Sequence, residues 1–341
     1  MTVTAAEVRE VVSQVLSELR REHAAPTQAS PPASPAAPAA PPPVSASPSA
    51  PPSAPPSSAP SPAVAATPVP SARPARTAAG DIDVPDPTAP AERHRIGVVD
   101  PANPAGLANL ASTTAARLAV GRAGPRPRTS TALLFSADHA VTQDAIFGDV
   151  PQAMLDELGM FTVQTRVTDQ DEFLLRPDLG RSLSDEARTT IAERCVAKPQ
   201  VQIVVGDGLS AAAVTNNVPQ IYPVIVQGLT AAGVSIGTPF FVRYCRVGVM
   251  NDINDLVHAD VVLLLIGERP GLGVADALSV YSGYQPTAGK TDAHRDVICM
   301  ITPNGGTNPL EAGAFAVEHV KTVLQHHASG VELRLMQSGS R

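Results

Sequence analysis

The chain has 341 residues, enough for more than one domain, and 35 of them are proline. A formal net charge of −7, no tryptophan, 4 tyrosines and 7 phenylalanines argue against nucleic-acid binding, which needs a basic footprint or a base-stacking surface. No apolar run approaches the ~20 residues of a membrane span, and the N-terminus lacks the apolar core of a secretory signal.

Residues 4–22 read as a short amphipathic helix. Thr4 and Glu7 form a capping box, and Val3 and Val8 are placed for a hydrophobic staple. Val8, Val11, Val12, Val15, Leu16 and Leu19 then share one face. Residues 24–92 are Pro, Ala and Ser with almost no large apolar side chains. Such a segment cannot offset its chain entropy by burial and is expected to be disordered. Extended, it reaches on the order of 100–200 Å. A sticky helix on a long tether suits docking into a partner groove.

The chain thus divides into a docking helix (1–23), a linker (24–92), a mainly helical part (93–195), an α/β part (196–335) and a tail (336–341). Helices are expected at Leu107–Ala119, at Leu133–Phe147, and at Asp185–Val196 with Ser184 as N-cap. Strands are expected at Val201–Val205, Phe240–Tyr244, Val261–Ile266 and Asp296–Ile301. Helices fall between and beyond them: after Ser210, around Val224–Ala232, after Asn251, and at Leu310–His326. Strand–helix alternation predicts an α/β fold, a Rossmann-like parallel sheet flanked by helices.

Several motifs carry candidate chemistry. Gly206-Asp207-Gly208-Leu209-Ser210 follows a buried strand and opens a helix. Helix-end amides can hold an anion there, or the segment is a structural turn. It is not the full dinucleotide fingerprint. Gly267-Glu268-Arg269-Pro270-Gly271-Leu272-Gly273 ends a buried strand, where α/β sheets bind ligands. Glu268 can accept hydrogen bonds and Arg269 can engage an anion; an internal Glu–Arg pair is the plainer reading. Arg122, Arg126 and Arg128 share a Gly–Pro loop suited to phosphate, a carboxylate or an acidic partner; a solvated basic loop is the plainer reading. Asp138-His139 has Gln143 rather than a ligand one turn on, so a structural histidine is favoured over zinc. His326-His327 reads as a cationic turn that complements a helix C-terminus. Cys195, Cys245 and Cys299 are too far apart for a disulfide framework or a Cys-x-x-Cys metal pair, and read as reduced cytosolic thiols.

Six blocks carry a resemblance that runs in order over about residues 94–335. They are Gly121–Thr129, Ala137–His139, Arg176-Pro177-Asp178-Leu179-Gly180-Arg181, Val205–Ser210, GTPFFVRY at 237–244 and LLLIGERPGLG at 263–273. Together they resemble the small (light) subunit of ethanolamine ammonia-lyase, an adenosylcobalamin-dependent enzyme. The resemblance implies conversion of ethanolamine to acetaldehyde and ammonia by radical chemistry. It also implies a catalytic large subunit as partner, in a hetero-oligomer in which this chain is inactive alone and contributes no catalytic residue or metal ligand. Cofactor contacts carry over to Val247 and Glu268. The third family contact is a cysteine, and it falls on Val297 by register, or on Cys299 two residues away. The N-terminal helix resembles the encapsulation tails of bacterial microcompartment enzymes, which implies a shell protein as a second partner and a cytoplasmic, microcompartment location. A non-catalytic scaffold or cargo adaptor and a stand-alone nucleotide-binding α/β enzyme are the competing readings.

Overall fold

The computed structural model describes residues 90–339, apart from the side chains of Pro90 and Arg93. The expected docking helix, the expected linker up to residue 89, and residues 340–341 lie outside the described residues. The first elements are a single turn, α1 (Pro90–Arg93), and α2 (Pro104–Ser112). Helix α2 starts three residues before the expected Leu107, because the Asn103 side chain accepts from Gly106 N at 2.9 Å and Pro104 fits the first helical position. It stops at Ser112, short of the expected Ala119. There Ser112 and Thr113 hydroxyls donate to the Asn109 and Leu110 carbonyls, both at 2.8 Å, and compete with the helical ladder.

A two-residue hairpin, β1 (Arg122–Ala123) and β2 (Arg126–Pro127), turns through Gly124 at φ +61°. It leads into α3 (Thr129–Phe147), α4 (Gln152–Glu157), β3 (Phe161–Gln164), α5 (Gln170–Leu175) and α6 (Asp185–Arg194). Ser184 caps α6 as expected, accepting from Ala187 N at 3.1 Å. The remaining elements are β4 (Val201–Gly206), α7 (Ala211–Ala231), β5 (Phe240–Arg243), α8 (Val249–Val257), β6 (Val261–Gly267), β7 (Leu278–Tyr284), β8 (Arg295–Ile301), α9 (Pro309–His326) and α10 (Gly330–Ser338).

The fold is α/β, with one six-stranded sheet in the order β3-β5-β4-β6-β7-β8 flanked by helices. The first four strands are parallel, while β7 runs antiparallel to both β6 and β8. The sheet is therefore mixed rather than wholly parallel. Segments 268–277 and 285–294 are shorter than the dozen or so residues that a parallel crossover needs, so the chain turns straight back.

Period-two alternation divides the core. Val201, Ile203, Val205, Leu263 and Leu265 face α7 and α9, meeting Val214, Ile221, Ile225 and Val320. Val204, Phe240, Val242, Val262 and Leu264 face α6 and α8, meeting Ile191, Val249, Met250 and Ile253. Burying each such side chain contributes roughly 1.5–3 kcal/mol. On the first face, α9 also covers β7 and β8, and α10 packs against β8. On the second face β8 remains open: Val297 is 43% exposed, and Cys299 is exposed beside it.

Helix α7 is a single 21-residue element, where separate helices are expected after Ser210 and around Val224–Ala232. Pro219 and Pro223 each remove a helical donor, yet the buried stripe Val214, Val218, Ile221, Ile225 and Leu229 stays on the sheet. Tertiary burial outweighs the local cost here.

Candidate functional site

The glycine-rich turn at 206–210 is filled by its own chain. Gly208 sits at φ +59°, and a Cβ there would lie 2.1 Å from the Gly267 carbonyl oxygen. Ser210 accepts from Ala213 N at 3.1 Å and donates to the Ala275 carbonyl at 2.6 Å. The Asp207 carboxylate accepts from Tyr244 N at 2.6 Å and Cys245 N at 2.8 Å, tying the ends of β4 and β5 together. Burial pushes the Asp207 carboxyl up to about 7, against the pull of these amides. The segment is a structural turn, with its polar groups already engaged.

Glu268, just past β6, joins three strands. Its Oε1 accepts from the Ser279 hydroxyl of β7 at 2.5 Å and from Met300 N of β8 at 2.7 Å. Its own amide donates to the Ala277 carbonyl at 3.0 Å. Met300 sits at φ +55°, next to the register shift opposite Leu278 and Val280. The Glu268 carboxylate thus holds a left-handed residue in a bulged strand. Arg269 is exposed and forms no ion pair with Glu268 or any other described residue, so the internal Glu–Arg reading does not hold. Oε2 of Glu268 makes no hydrogen bond among the described residues.

Val247 lies in the turn from β5 to α8, half-buried against the second-face core. It lines a cleft of about 590 Å³ with Arg181, Arg246, Tyr281, Lys290 and Arg295. Tyr281 pairs directly with Val297 across β7 and β8. Cys299 precedes Met300, whose amide Glu268 holds. Val247, Glu268, Val297 and Cys299 are therefore brought to the same open face of the β6–β7–β8 half of the sheet. Val297 and Cys299, two residues apart in one strand, share that face.

Sequence reasoning missed Tyr281, Lys290 and Arg295 as neighbours of Val247. No local motif links them, because they meet only when β7 returns beside β6. Burial lowers the Lys290 pKa. Arg246 is lowered too, by burial and then by repulsion from Arg181.

The other candidates resolve simply. Asp138 is 4% exposed and holds Arg117 through two bonds, Nε–Oδ2 at 2.6 Å and Nη2–Oδ1 at 2.8 Å, while His139 is exposed. The pair is structural. Arg122, Arg126 and Arg128 are exposed on the hairpin and its exit. His326 ends α9, and His327 caps it at φ +53°. Cys195 is half-buried, Cys245 is buried and all three cysteines are free. Among the described residues no group of His, Cys, Asp and Glu is arranged to hold a metal, and no helix is long and apolar enough to cross a membrane.

Comparison with known proteins adds two findings. The family described as "Ethanolamine ammonia-lyase light chain" matches residues 104–334. A protein named "Ethanolamine ammonia-lyase small subunit", from Clostridium perfringens, is 45% identical over 251 residues, covering 74% of this chain and 85% of the relative.

Proposed function

The chain belongs to the ethanolamine ammonia-lyase light-chain family, and from that premise we propose that it is the small subunit of a lyase converting ethanolamine to acetaldehyde and ammonia. It works in a hetero-oligomer with a catalytic large subunit and supplies part of the surface that holds adenosylcobalamin. When bound, that cofactor supplies the homolytic cobalt–carbon chemistry that starts the rearrangement.

The observation that carries the reading is the single open face bearing Val247, Glu268 and Val297 with Cys299. Its donor set suits a corrin, whose rim carries methyl groups and amide side chains. Val247 and Val297 offer apolar contact. The free Oε2 of Glu268 can accept an amide N–H, and charged acceptors make the stronger bonds. Cys299 presents an exposed thiol on the same strand. Anchoring Glu268 through Oε1 to two strands fixes its geometry before the cofactor arrives, which lowers the ordering cost of binding. Handling of ethanolamine falls to the large subunit.

We read β5–β4–β6 with their helices as a Rossmann-like core, and 196–335 as the cofactor-contacting part built on it. Residues 93–195 form its mainly helical companion. Residues 1–23 dock, through the helix at 4–22, on a microcompartment shell protein; 24–92 tether them, and 336–341 form the tail. The enzyme is cytoplasmic and works within that compartment. A stand-alone nucleotide enzyme is disfavoured because the 206–210 turn is packed by its own backbone.

The test is release of ammonia and acetaldehyde from ethanolamine with adenosylcobalamin. This chain alone, the large subunit alone and the co-expressed pair are compared. Activity only in the pair supports the proposal. A folded but inactive pair sinks it.

A further inference from the structure

The cleft beside Val247 is lined by more cations than carboxylates. Arg181, Arg246, Lys290 and Arg295 line it, against Asp252 and Asp292. Asp252 is already engaged: its Oδ2 accepts from Arg188 Nη2 at 2.6 Å and from Leu183 N at 2.9 Å. Asp292 pairs with Arg295 at 2.5 Å, with its side chain 88% exposed. Arg181, Arg246 and Lys290 form no ion pair with a described residue. Arg246 Nη2 donates to the Phe173 carbonyl at 2.9 Å, and Lys290 Nζ to the Tyr284 carbonyl at 2.7 Å. Arg181 makes no side-chain hydrogen bond among the described residues.

Two of the arginines are also short of acceptors. The Arg295 side chain is only 5% exposed, and its Nε has no partner; the buried Nε of Arg246 has none either. A buried charged donor without an acceptor is costly. In a chain of net charge −7, such a concentration of cations calls for an anion. The volume of about 590 Å³ is in the range of small-molecule sites and well beyond one free phosphate. A cleft of that size has room for an anion that is part of a larger molecule.

Resting on the cobalamin reading above, we propose that this cleft receives the phosphodiester of the cofactor's nucleotide loop, with Arg181, Arg246 and Lys290 as its electrostatic clamp. Arg295, held by Asp292 and by Asn251 Oδ1 at 3.0 Å, forms the cationic floor. Arginine suits this role because its fork of donors matches phosphate oxygens, and lysine acts as a point charge beside it.

The experiment uses the complete two-subunit complex. Binding of hydroxocobalamin and of cobinamide, which lacks the phosphate, ribose and benzimidazole, is measured by spectroscopic titration. Arg181→Met and Lys290→Met are compared with the unaltered complex, and circular dichroism checks that each variant folds. Each variant is expected to weaken cobalamin binding roughly tenfold and to leave cobinamide binding unchanged. Rising salt should shrink the difference. Inorganic phosphate should compete with cobalamin and not with cobinamide in the unaltered complex. Equal loss for both corrinoids, or loss for neither, overturns the proposal. Equal loss accompanied by weaker subunit association assigns the cleft instead to an acidic group of the large subunit. If the unaltered complex binds neither corrinoid, the cobalamin reading itself fails, and that outcome is distinct from the others.

Discussion

Glu268 does two jobs with two oxygens, and they can be separated. Oε1 satisfies the Met300 amide and the Ser279 hydroxyl, while Oε2 is free. Glu268→Gln keeps a carbonyl acceptor for the strands and removes the charge. Its stability should change little, while cofactor affinity in the complex falls. Glu268→Ala leaves the buried Ser279 hydroxyl without its acceptor and should cost about 1–3 kcal/mol as well; urea unfolding of both variants checks this. The cysteines differ just as clearly. Burial raises the Cys195 thiol to about 11 and Cys245 well above its ordinary value, whereas Cys299 is exposed. A thiol reagent at pH 8 should label Cys299 first, because the thiolate is the nucleophile. Mass spectrometry after digestion gives the order, and the cofactor-loaded complex should protect Cys299. Asp207 adds a pH dependence. Burial lifts its folded pKa from the ordinary 3.8 to about 7. The folded state then holds a proton that the unfolded state releases between these values, so this contribution is full below pH 4 and is lost as pH rises through 7. Urea midpoints of the wild-type chain should decline relative to Asp207→Asn from pH 4 to 7 and run parallel above pH 8.

At the scale of elements, α7 is held by its buried stripe rather than by its own propensity. Pro219 is exposed on it. Pro219→Ala would restore a helical N–H and remove ring crowding in the preceding turn. The expected gain is about 1–3 kcal/mol, somewhat offset by greater freedom of the unfolded chain. Thermal melts of the two proteins check it; a loss of stability would mean that a proline kink is needed to follow the sheet. The β7–β8 pair has a different character. One face is sealed by α9, and the other shows Val297 and Cys299. Sheet surfaces with apolar exposure mark places where another surface is received.

For the whole molecule, the described body begins near residue 90. The Glu92 carbonyl accepts from Arg117 Nη1 at 2.6 Å, and Arg117 in turn holds Asp138 of α3. A truncation that removes residues 1–89 keeps this network, and should retain full lyase activity with the large subunit. Removing residues 1–92 takes away the Glu92 carbonyl and should lower the melting temperature. Comparing the two truncations by activity and thermal melt locates the boundary to within three residues. Loss of activity in the 1–89 deletion would show that the N-terminal segment serves catalysis rather than placement.

Much of this protein was legible before any coordinates. The apolar runs at Val201–Val205 and Val261–Ile266 read as buried strands, and both faces of each are covered. Ser184 and Ser210 read as caps because a hydroxyl beside a helix start meets orphan amides. These signals are local, and local chemistry is written in neighbouring residues. The tertiary structure alone decided the antiparallel return of β7, the continuity of α7 through two prolines, and the meeting of Arg181, Arg246, Lys290 and Arg295 in one cleft. It also showed that Glu268 serves the strands and leaves Arg269 unpaired. Each depends on contacts between segments tens of residues apart, where strand register and the burial of whole faces outweigh the preferences of any single stretch.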